Sequence, residues 1–206
     1  MNNPTNYIHS YCHIKNDKII LDNSAITINN SDTVFLKSLY NHLKLDYPKF
    51  FKMDNLCKLA LLTSEILITN SKIEFDLENT NIVISNSSST LDTDLKHQDS
   101  IQNRADFFPS PAIFVYTLPN ILIGEICIKH GMKGENTFFI SEKFDSNTIA
   151  NYSNILQKEP KNQHTIAGWA EYTETTMDCF FYIVSKAKTG LSIEHTPEMV
   201  NQLYHS

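Results

Sequence analysis

The chain has 206 residues, and 41% of them are hydrophobic, which is enough for the core of one domain or of two small ones. A formal net charge of −6 with no basic stripe argues against a nucleic-acid-binding protein, because such a chain has little to gain from counterion release. No apolar run reaches the roughly 18 residues of a membrane-spanning helix. The polar N-terminus, MNNPTNYIHS, has no signal-peptide pattern, so we expect a cytoplasmic protein.

The cysteines and histidines give no sign of a metal site. The four cysteines are scattered and form no CxxC pair: Cys12, Cys57, Cys127 and Cys179. We expect them to be free, buried thiols in a reducing compartment. His9 and His13 are four positions apart, but the stretch YIHSYCHI has the alternation of a strand and does not give helical ligand geometry. We therefore expect neither a metal nor a cofactor.

The first part of the chain predicts a strand pair followed by two helices. The stretches NYIHSYCHI and KIILD predict strands or a hairpin. Helical spacing of apolar residues predicts a helix in TVFLKSLYNHL (33–43), and DYPKFFKMD reads as an irregular connection. The clearest helix is MDNLCKLALLTSEILITN (53–70), with Asp54 as its cap. Its predicted buried face consists of Leu56, Leu59, Ala60, Thr63 and Leu67.

The rest of the chain alternates strands with helices, which predicts an α/β fold. TNIVISNSSS (80–89) predicts a buried strand of a parallel sheet and a polar turn. A helix is predicted from 119 to 128, ended by a turn at Gly131, and NTFFIS (136–141) predicts a strand. Asp145 or Ser146 caps a helix to about Gln157, and 164–190 predicts two strands, with TMDCFFYIV as the last of the sheet. All five glycines lie between Gly124 and Gly190, where we expect that only glycine fits.

The stretch SPAIFVYTLPNILIGEICIKHGMKGEN (110–136) resembles the β-ketoacyl synthases of the thiolase-like fold. The matching positions are Ser110, Pro111, Asn120, Gly124, Gly131, Lys133, Gly134 and Asn136. Downstream, AGWAE (167–171) is similar to the family's AGGAE, with Gly168 and Glu171 in place and Trp169 replacing a glycine. MDNLCKLALL and NTNIVISNSSS give weaker support in the same order. The resemblance covers about residues 50–190 and implies one domain over residues 1–206, half of a thiolase-like fold with a mixed sheet and helices on its faces.

The resemblance implies that Lys143 occupies the position of the family's catalytic cysteine. Lys143 comes seven residues after Asn136 and 25 residues before Gly168, as that cysteine does from the corresponding anchors. A lysine acylated by a thioester would become a stable amide, so we expect no covalent catalysis. We expect Lys143 to face solvent or to pair with Glu142 or Asp145.

The family's two catalytic histidines come from a second half that lies beyond a chain of this length. His195 and His205 lack the glycine context that would carry the resemblance there. In a full-length member the helix after the nucleophile is buried between the halves, whereas SNTIANYSNILQK (146–158) has one apolar stripe. We expect Asn147, Asn151, Ser153, Asn154 and Lys158 to face water. That pattern leads us to expect a naturally half-length protein.

The resemblance points to a non-catalytic partner of an active ketosynthase, similar to chain length factors, in fatty acid or polyketide synthesis of polyene or aryl-polyene type. It implies that Phe114, Val115, Tyr116 and Thr117 lie near the gate of an acyl tunnel. It implies an interface at the strand Thr137, Phe138, Phe139, Ile140 and Ser141, and structural roles for Asn120, Gly131, Gly134, Gly168 and Glu171. The acyl carrier protein would be an indirect partner. Two alternatives stay open: an acyl-thioester decarboxylase or hydrolase, and a self-associating scaffold.

Overall fold

The computed structural model describes residues 5–28, 34–103, 105 and 107–206. The strands are β1 (Tyr7–Lys15), β2 (Lys18–Leu21), β3 (Ser24–Ile26), β4 (Asn81–Asn86), β5 (Asn136–Ile140), β6 (His164–Tyr172), β7 (Met177–Ser185) and β8 (Ile193–Glu194). The helices are α1 (Phe35–His42), α2 (Asn55–Ser71), α3 (Leu91–Gln102), α4 (Pro111–Val115), α5 (Ile121–His130), α6 (Ser146–Leu156) and α7 (Pro197–Tyr204), with a 3₁₀ helix at Pro48–Lys52. The predicted α/β fold with a mixed sheet is confirmed.

The strands form one sheet in the order β3-β2-β1-β7-β6-β4-β5, and β8 pairs with the start of β1. β4 lies parallel to both β5 and β6, as its apolar sequence predicts, and all six of its residues are buried. β7 lies antiparallel between β1 and β6. The prediction that it is the last strand is wrong, because β8 follows it.

Alternation along the strands directs side chains into two cores, one on each face of the sheet. One core takes α1, α2 and α5, with Cys12, Ile84 and Phe181 from the sheet. The other takes α6 and α7, with Val83 and Phe180 from the sheet. The sheet is thus covered by helices on both faces.

α2 is buried nearly all round rather than along one face. Asp54 caps it as predicted, because its carboxylate accepts a hydrogen bond from the Cys57 amide at 2.9 Å. Its buried set also includes Leu61, Leu62 and Ile66, which lie outside the predicted stripe. The helix packs on the sheet on one side and on α1 and α5 on others, which explains why α2 has no continuous polar face.

The predicted helix after the strand NTFFIS is α6, and one of its sides faces solvent. Asn147, Asn151 and Ile155 are exposed, while Ile149 and Ala150 are buried. The prediction that Ser153 faces water is wrong, and Asn154 is half-buried, because its side-chain oxygen lies 2.9 Å from the His195 ring.

Ser153 can be buried because its hydroxyl donates a hydrogen bond to the Ile149 carbonyl at 2.8 Å and so needs no water as a partner.

In the described part of the chain, no helix is long and apolar enough to cross a membrane.

Candidate functional site

The candidate site lies where the parallel strands β5, β4 and β6 end, since loops that follow parallel strands meet at one edge of a sheet. The corner after β5 (residues 141–145) is tied to β4 by a hydrogen bond from the Ser141 amide to the Asn86 carbonyl at 2.9 Å. The loop after β4 is held from the other side by Glu171 near the end of β6. Its carboxylate accepts hydrogen bonds from the amides of Ser87 at 2.8 Å and Ser88 at 3.2 Å.

At this corner Lys143 points to solvent and Phe144 points into the core. The Lys143 side chain is exposed, and it makes no ion pair with Glu142 or Asp145. The Asp145 carboxylate instead caps α6 by accepting from the Asn147 amide at 3.0 Å. A nucleophilic lysine is typically held in a desolvated pocket, and the exposed Lys143 is not.

Phe144 fills the space on the inner side of the corner. Its ring lies 6.1 Å from that of Trp169, 5.8 Å from that of Phe180 and 4.4 Å from that of Tyr204. Trp169, which replaces a small residue of the resembling motif, therefore packs against the corner itself. A shallow pocket of about 380 Å³ beside Lys143 is lined by α6 and α7 and contains no histidine.

Three of the predicted structural residues, all of them glycines, lie at tight or left-handed backbone positions. A Cβ on Gly168 would stand 1.9 Å from the Phe180 carbonyl oxygen, and one on Gly134 would stand 2.1 Å from that of Thr80. Gly131 ends α5 in a left-handed conformation, and Asn120 occupies its N-cap without a side-chain hydrogen bond. Gly124 contradicts the expectation for the glycines, because nothing lies within 4 Å of a Cβ there.

The predicted gate segment splits between surface and interior. Phe114 and Val115 are exposed, at 55% and 44%. Tyr116 is buried, and its hydroxyl donates to the Glu125 carboxylate at 3.1 Å. Burial and the Glu125 charge both raise the pKa of Tyr116, so it remains a neutral donor. Thr117 accepts from Thr90 through its carbonyl at 3.0 Å, which ties the segment to the loop after β4.

The predicted interface strand, β5, is an edge strand. Within the described residues it pairs only with β4. Phe138 packs on one core and Phe139 on the other, so both are half-buried, while Ile140 is 56% exposed.

The outward groups of this strand follow from the hydrogen bonds of residues 135 and 141 to β4. Since parallel pairing alternates along the strand, the N–H and C=O groups of Asn136, Phe138 and Ile140 point away from the sheet.

A buried polar cluster escaped the sequence analysis. The Asp178 carboxylate binds the His13 ring at 2.8 Å, the Tyr204 hydroxyl at 2.8 Å and the Lys15 ammonium at 2.9 Å. Burial raises the pKa of Asp178, but the hydrogen bonds from His13, Lys15 and Tyr204 outweigh it and hold the pKa below its ordinary value. The cluster fastens α7 to β1 and β7. No local motif signals it, because its members are far apart in the chain.

The described residues contain no group of side chains able to hold a metal.

The fold matches solved structures of ketosynthases and chain length factors. No family model and no curated protein matches the sequence. The ishigamide ketosynthase/chain length factor superposes with a TM-score of 0.65 at 15% identity, over 89% of this chain and 63% of that one. The type II PKS complex AntDE:AntF gives a TM-score of 0.62 at 9% identity with the same coverage. The ketosynthase ApeO in complex with its chain length factor ApeC, from Xenorhabdus doucetiae, superposes with a TM-score of 0.57 at 11% identity, over 89% of this chain and 79% of that one.

The chain therefore has the thiolase-like fold of ketosynthase and chain length factor proteins, as the sequence resemblance predicts. It spans about 63% of the length of the first two of these chains. Within that fold its corner carries an exposed lysine backed by an aromatic cluster.

Proposed function

We propose that this protein is a non-catalytic, chain-length-factor-like subunit that pairs with a full-length β-ketoacyl-ACP synthase. The observation that carries the proposal is the corner after β5, where Lys143 faces solvent and the space behind it is filled by Phe144 and Trp169. A corner of this kind has no cysteine at the nucleophile position and no room for an acyl group on its inner side. The fold is retained, so its remaining use is to bind and to shape a partner.

The proposal disfavours thioester hydrolysis or decarboxylation at this corner. Either reaction needs a general acid or base within hydrogen-bond reach of the reacting group. The pocket beside Lys143 offers the carboxylates of Asp145 and Glu198 but no histidine, and the Asp145 carboxylate is committed to the cap of α6. His195 does not line this pocket, because it is buried elsewhere and its ring is hydrogen-bonded to Asn154 and Tyr182.

The partner is expected to bind along β5 and at a segment of exposed apolar side chains. The outward N–H and C=O groups of the strand suit pairing with a strand of the ketosynthase. Next to the loop after β4 lies a group of exposed apolar side chains, which we name the apolar surface: Phe107, Phe108, Phe114, Val115 and Leu118. Exposed apolar area of this kind is typical of a protein interface, and so is an unpaired strand edge.

The solved complexes suggest the setting of such a pair. The chains AntDE were solved with an acyl carrier protein, and ApeO with its chain length factor. By analogy, this subunit would shape the acyl tunnel of a polyene or aryl-polyene type synthase, with Phe114 and Val115 nearest to the partner. The carrier protein would dock mainly on the active subunit. Four free thiols accord with the reducing cytoplasm as the compartment.

Co-expression with the ketosynthase encoded nearest in the genome tests the proposal. We expect a stable one-to-one complex by co-purification and mass determination. Ile140→Lys should weaken it at least about tenfold, because the interface would bury an unpaired ammonium at the strand edge. The matched control is Ile155→Lys, since Ile155 is 55% exposed, like Ile140 at 56%, but lies on α6. The proposal fails if the ketosynthase is not retained, and the β5 interface fails if both variants weaken the complex equally.

A further inference from the structure

A pocket of about 230 Å³ lies between the start of α2 and the helices α3 and α4. Its walls include the apolar side chains of Met53, Ala112 and Ile113 and the ring of Tyr116. The ammonium-bearing side chains of Lys52, Lys58 and Lys96 also line it. Ala112 and Ile113 of α4 and Tyr116 just after it face the pocket, while Phe114 and Val115 lie on the exposed side of the helix. The pocket is therefore distinct from the apolar surface.

Lys58 is the unusual member of this lining. It is half-buried, and within the described residues no carboxylate lies in ion-pair range of it. Its ammonium instead lies 5.9 Å from the centre of the Phe50 ring. Burial lowers the pKa of Lys58, opposed by the more distant charge of Asp54. The ammonium is thus partly desolvated with no carboxylate of the described residues within 4 Å, whereas Lys96 at the rim is paired with Asp92 at 2.6 Å.

The one carboxylate in the lining is already engaged. Asp54 accepts from the Cys57 amide at 2.9 Å and from the Thr93 hydroxyl at 2.8 Å. The amides at the start of α2, which would be the natural cradle for a phosphate, are therefore capped by a negative charge. The pocket suits a compact monoanion rather than a phosphate, and its apolar walls suit a hydrocarbon tail.

We propose that this pocket binds a medium-chain carboxylate, with the tail among Met53, Ile113 and Tyr116 and the carboxylate on the Lys58 ammonium. A cavity of ~150 Å³ holds benzene, so 230 Å³ has room for about nine heavy atoms. Octanoate has a tail of matching size. The inference concerns a site on this chain alone and does not rest on pairing with a ketosynthase.

Titration of the pure protein with octanoate, followed by NMR chemical shifts and calorimetry, tests this. We expect saturable binding with a dissociation constant on the order of 1 mM or below. Lys58→Met keeps the aliphatic stem and removes the charge, so octanoate affinity should fall roughly tenfold or more, as for loss of a charge-assisted hydrogen bond. Binding of 1-octanol, which has the same tail and no charge, should be unchanged by that substitution.

The matched control is Lys161→Met, because Lys161 is an exposed lysine in the loop between α6 and β6 and does not line the pocket. It should leave octanoate binding as in the wild type. If Lys58→Met does not fold, Ala112→Glu, at an exposed lining position, places a carboxylate at the pocket mouth and should abolish octanoate binding. No saturable binding by the wild type overturns the proposal, and so does equal affinity for octanoate in the wild type and in the folded charge variant.

Discussion

His195 is a buried histidine whose protonation state affects the stability of the fold. His195 is 4% exposed, and burial lowers its pKa to about 4. Its ring bonds to the Asn154 side-chain oxygen at 2.9 Å and lies 3.3 Å from the Tyr182 hydroxyl. These contacts hold a neutral imidazole, with the proton on the nitrogen that faces Asn154.

His195 therefore predicts an acid-side loss of stability. In the unfolded chain His195 takes up a proton below its ordinary pKa of about 6.5. In the folded chain it takes up that proton only when the pH falls to about 4. Stability should be fully present above pH 6.5 and should fall by up to about 3 kcal/mol by pH 4. His164, whose pKa is also lowered by burial, adds to the same slope.

Urea unfolding at several pH values measures this effect. His195→Gln should flatten the slope between pH 6.5 and 4, whereas Asn154→Ala should destabilise the protein yet keep most of the slope, because it retains the imidazole. A slope unchanged in His195→Gln would assign the acid sensitivity to other groups.

The glycines give a second prediction at this scale. Gly168→Ala should lower the free energy of unfolding by about 3 kcal/mol or more, because its Cβ would overlap the Phe180 carbonyl oxygen at a backbone φ of +154°. Gly124→Ala is the matched control and should stabilise α5 by about 0.5–1 kcal/mol, since open space surrounds that position. Thermal unfolding of the two variants should shift in opposite directions, and a shift in the same direction would contradict this account.

At the scale of elements, the two capping aspartates look alike in sequence and differ in structure. Among the described residues, the Asp145 carboxylate bonds only to Asn147 and Thr148 in the first turn of α6. The Asp54 carboxylate caps α2 and also receives the Thr93 hydroxyl of α3. Asp145→Ala should cost about 1 kcal/mol and Asp54→Ala about 2 kcal/mol or more. Hydrogen exchange separates the causes: α3 should lose protection in Asp54→Ala and keep it in Asp145→Ala.

The elements also show what local sequence can and cannot predict. α2, β4, β5 and α6 follow from strong periodicity and caps, and the structure places them as predicted. α3 was missed because LDTDLKHQDSIQ has only one buried side chain, Thr93, and so lacks an apolar stripe. α7 was also not predicted, although its sequence contains a start signal, Thr196 as the cap followed by Pro197 at the first helical position.

At the scale of the whole molecule, the arrangement of the sheet depends on contacts between distant parts of the chain. β1 pairs with β7, so Tyr11 lies opposite Tyr182, and no local pattern encodes that pairing. The site was predictable in part for the same reason. The resemblance to the β-ketoacyl synthases implied that Lys143 lies at the corner, but only the packed fold reveals that Phe144 and Trp169 meet behind it.

The edge of the sheet leads to a prediction about the isolated protein. β5 presents unpaired backbone groups along its outer edge, and a net charge of −6 provides the main opposing repulsion. The isolated chain should self-associate through this edge, more strongly at high salt because screening weakens the repulsion. Sedimentation velocity over a range of concentrations measures this. Ile140→Lys should shift the protein toward monomer, while Ile155→Lys should not.

A competition experiment decides what this self-association means. If the edge is a ketosynthase interface, excess ketosynthase should replace the homomeric contact, because both use the same backbone groups of β5. The homomer would then be a substitute for the physiological pair. If the homomer persists beside excess ketosynthase and still depends on Ile140, the edge is built for a second copy of this chain, and the self-associating scaffold becomes the better account of the protein.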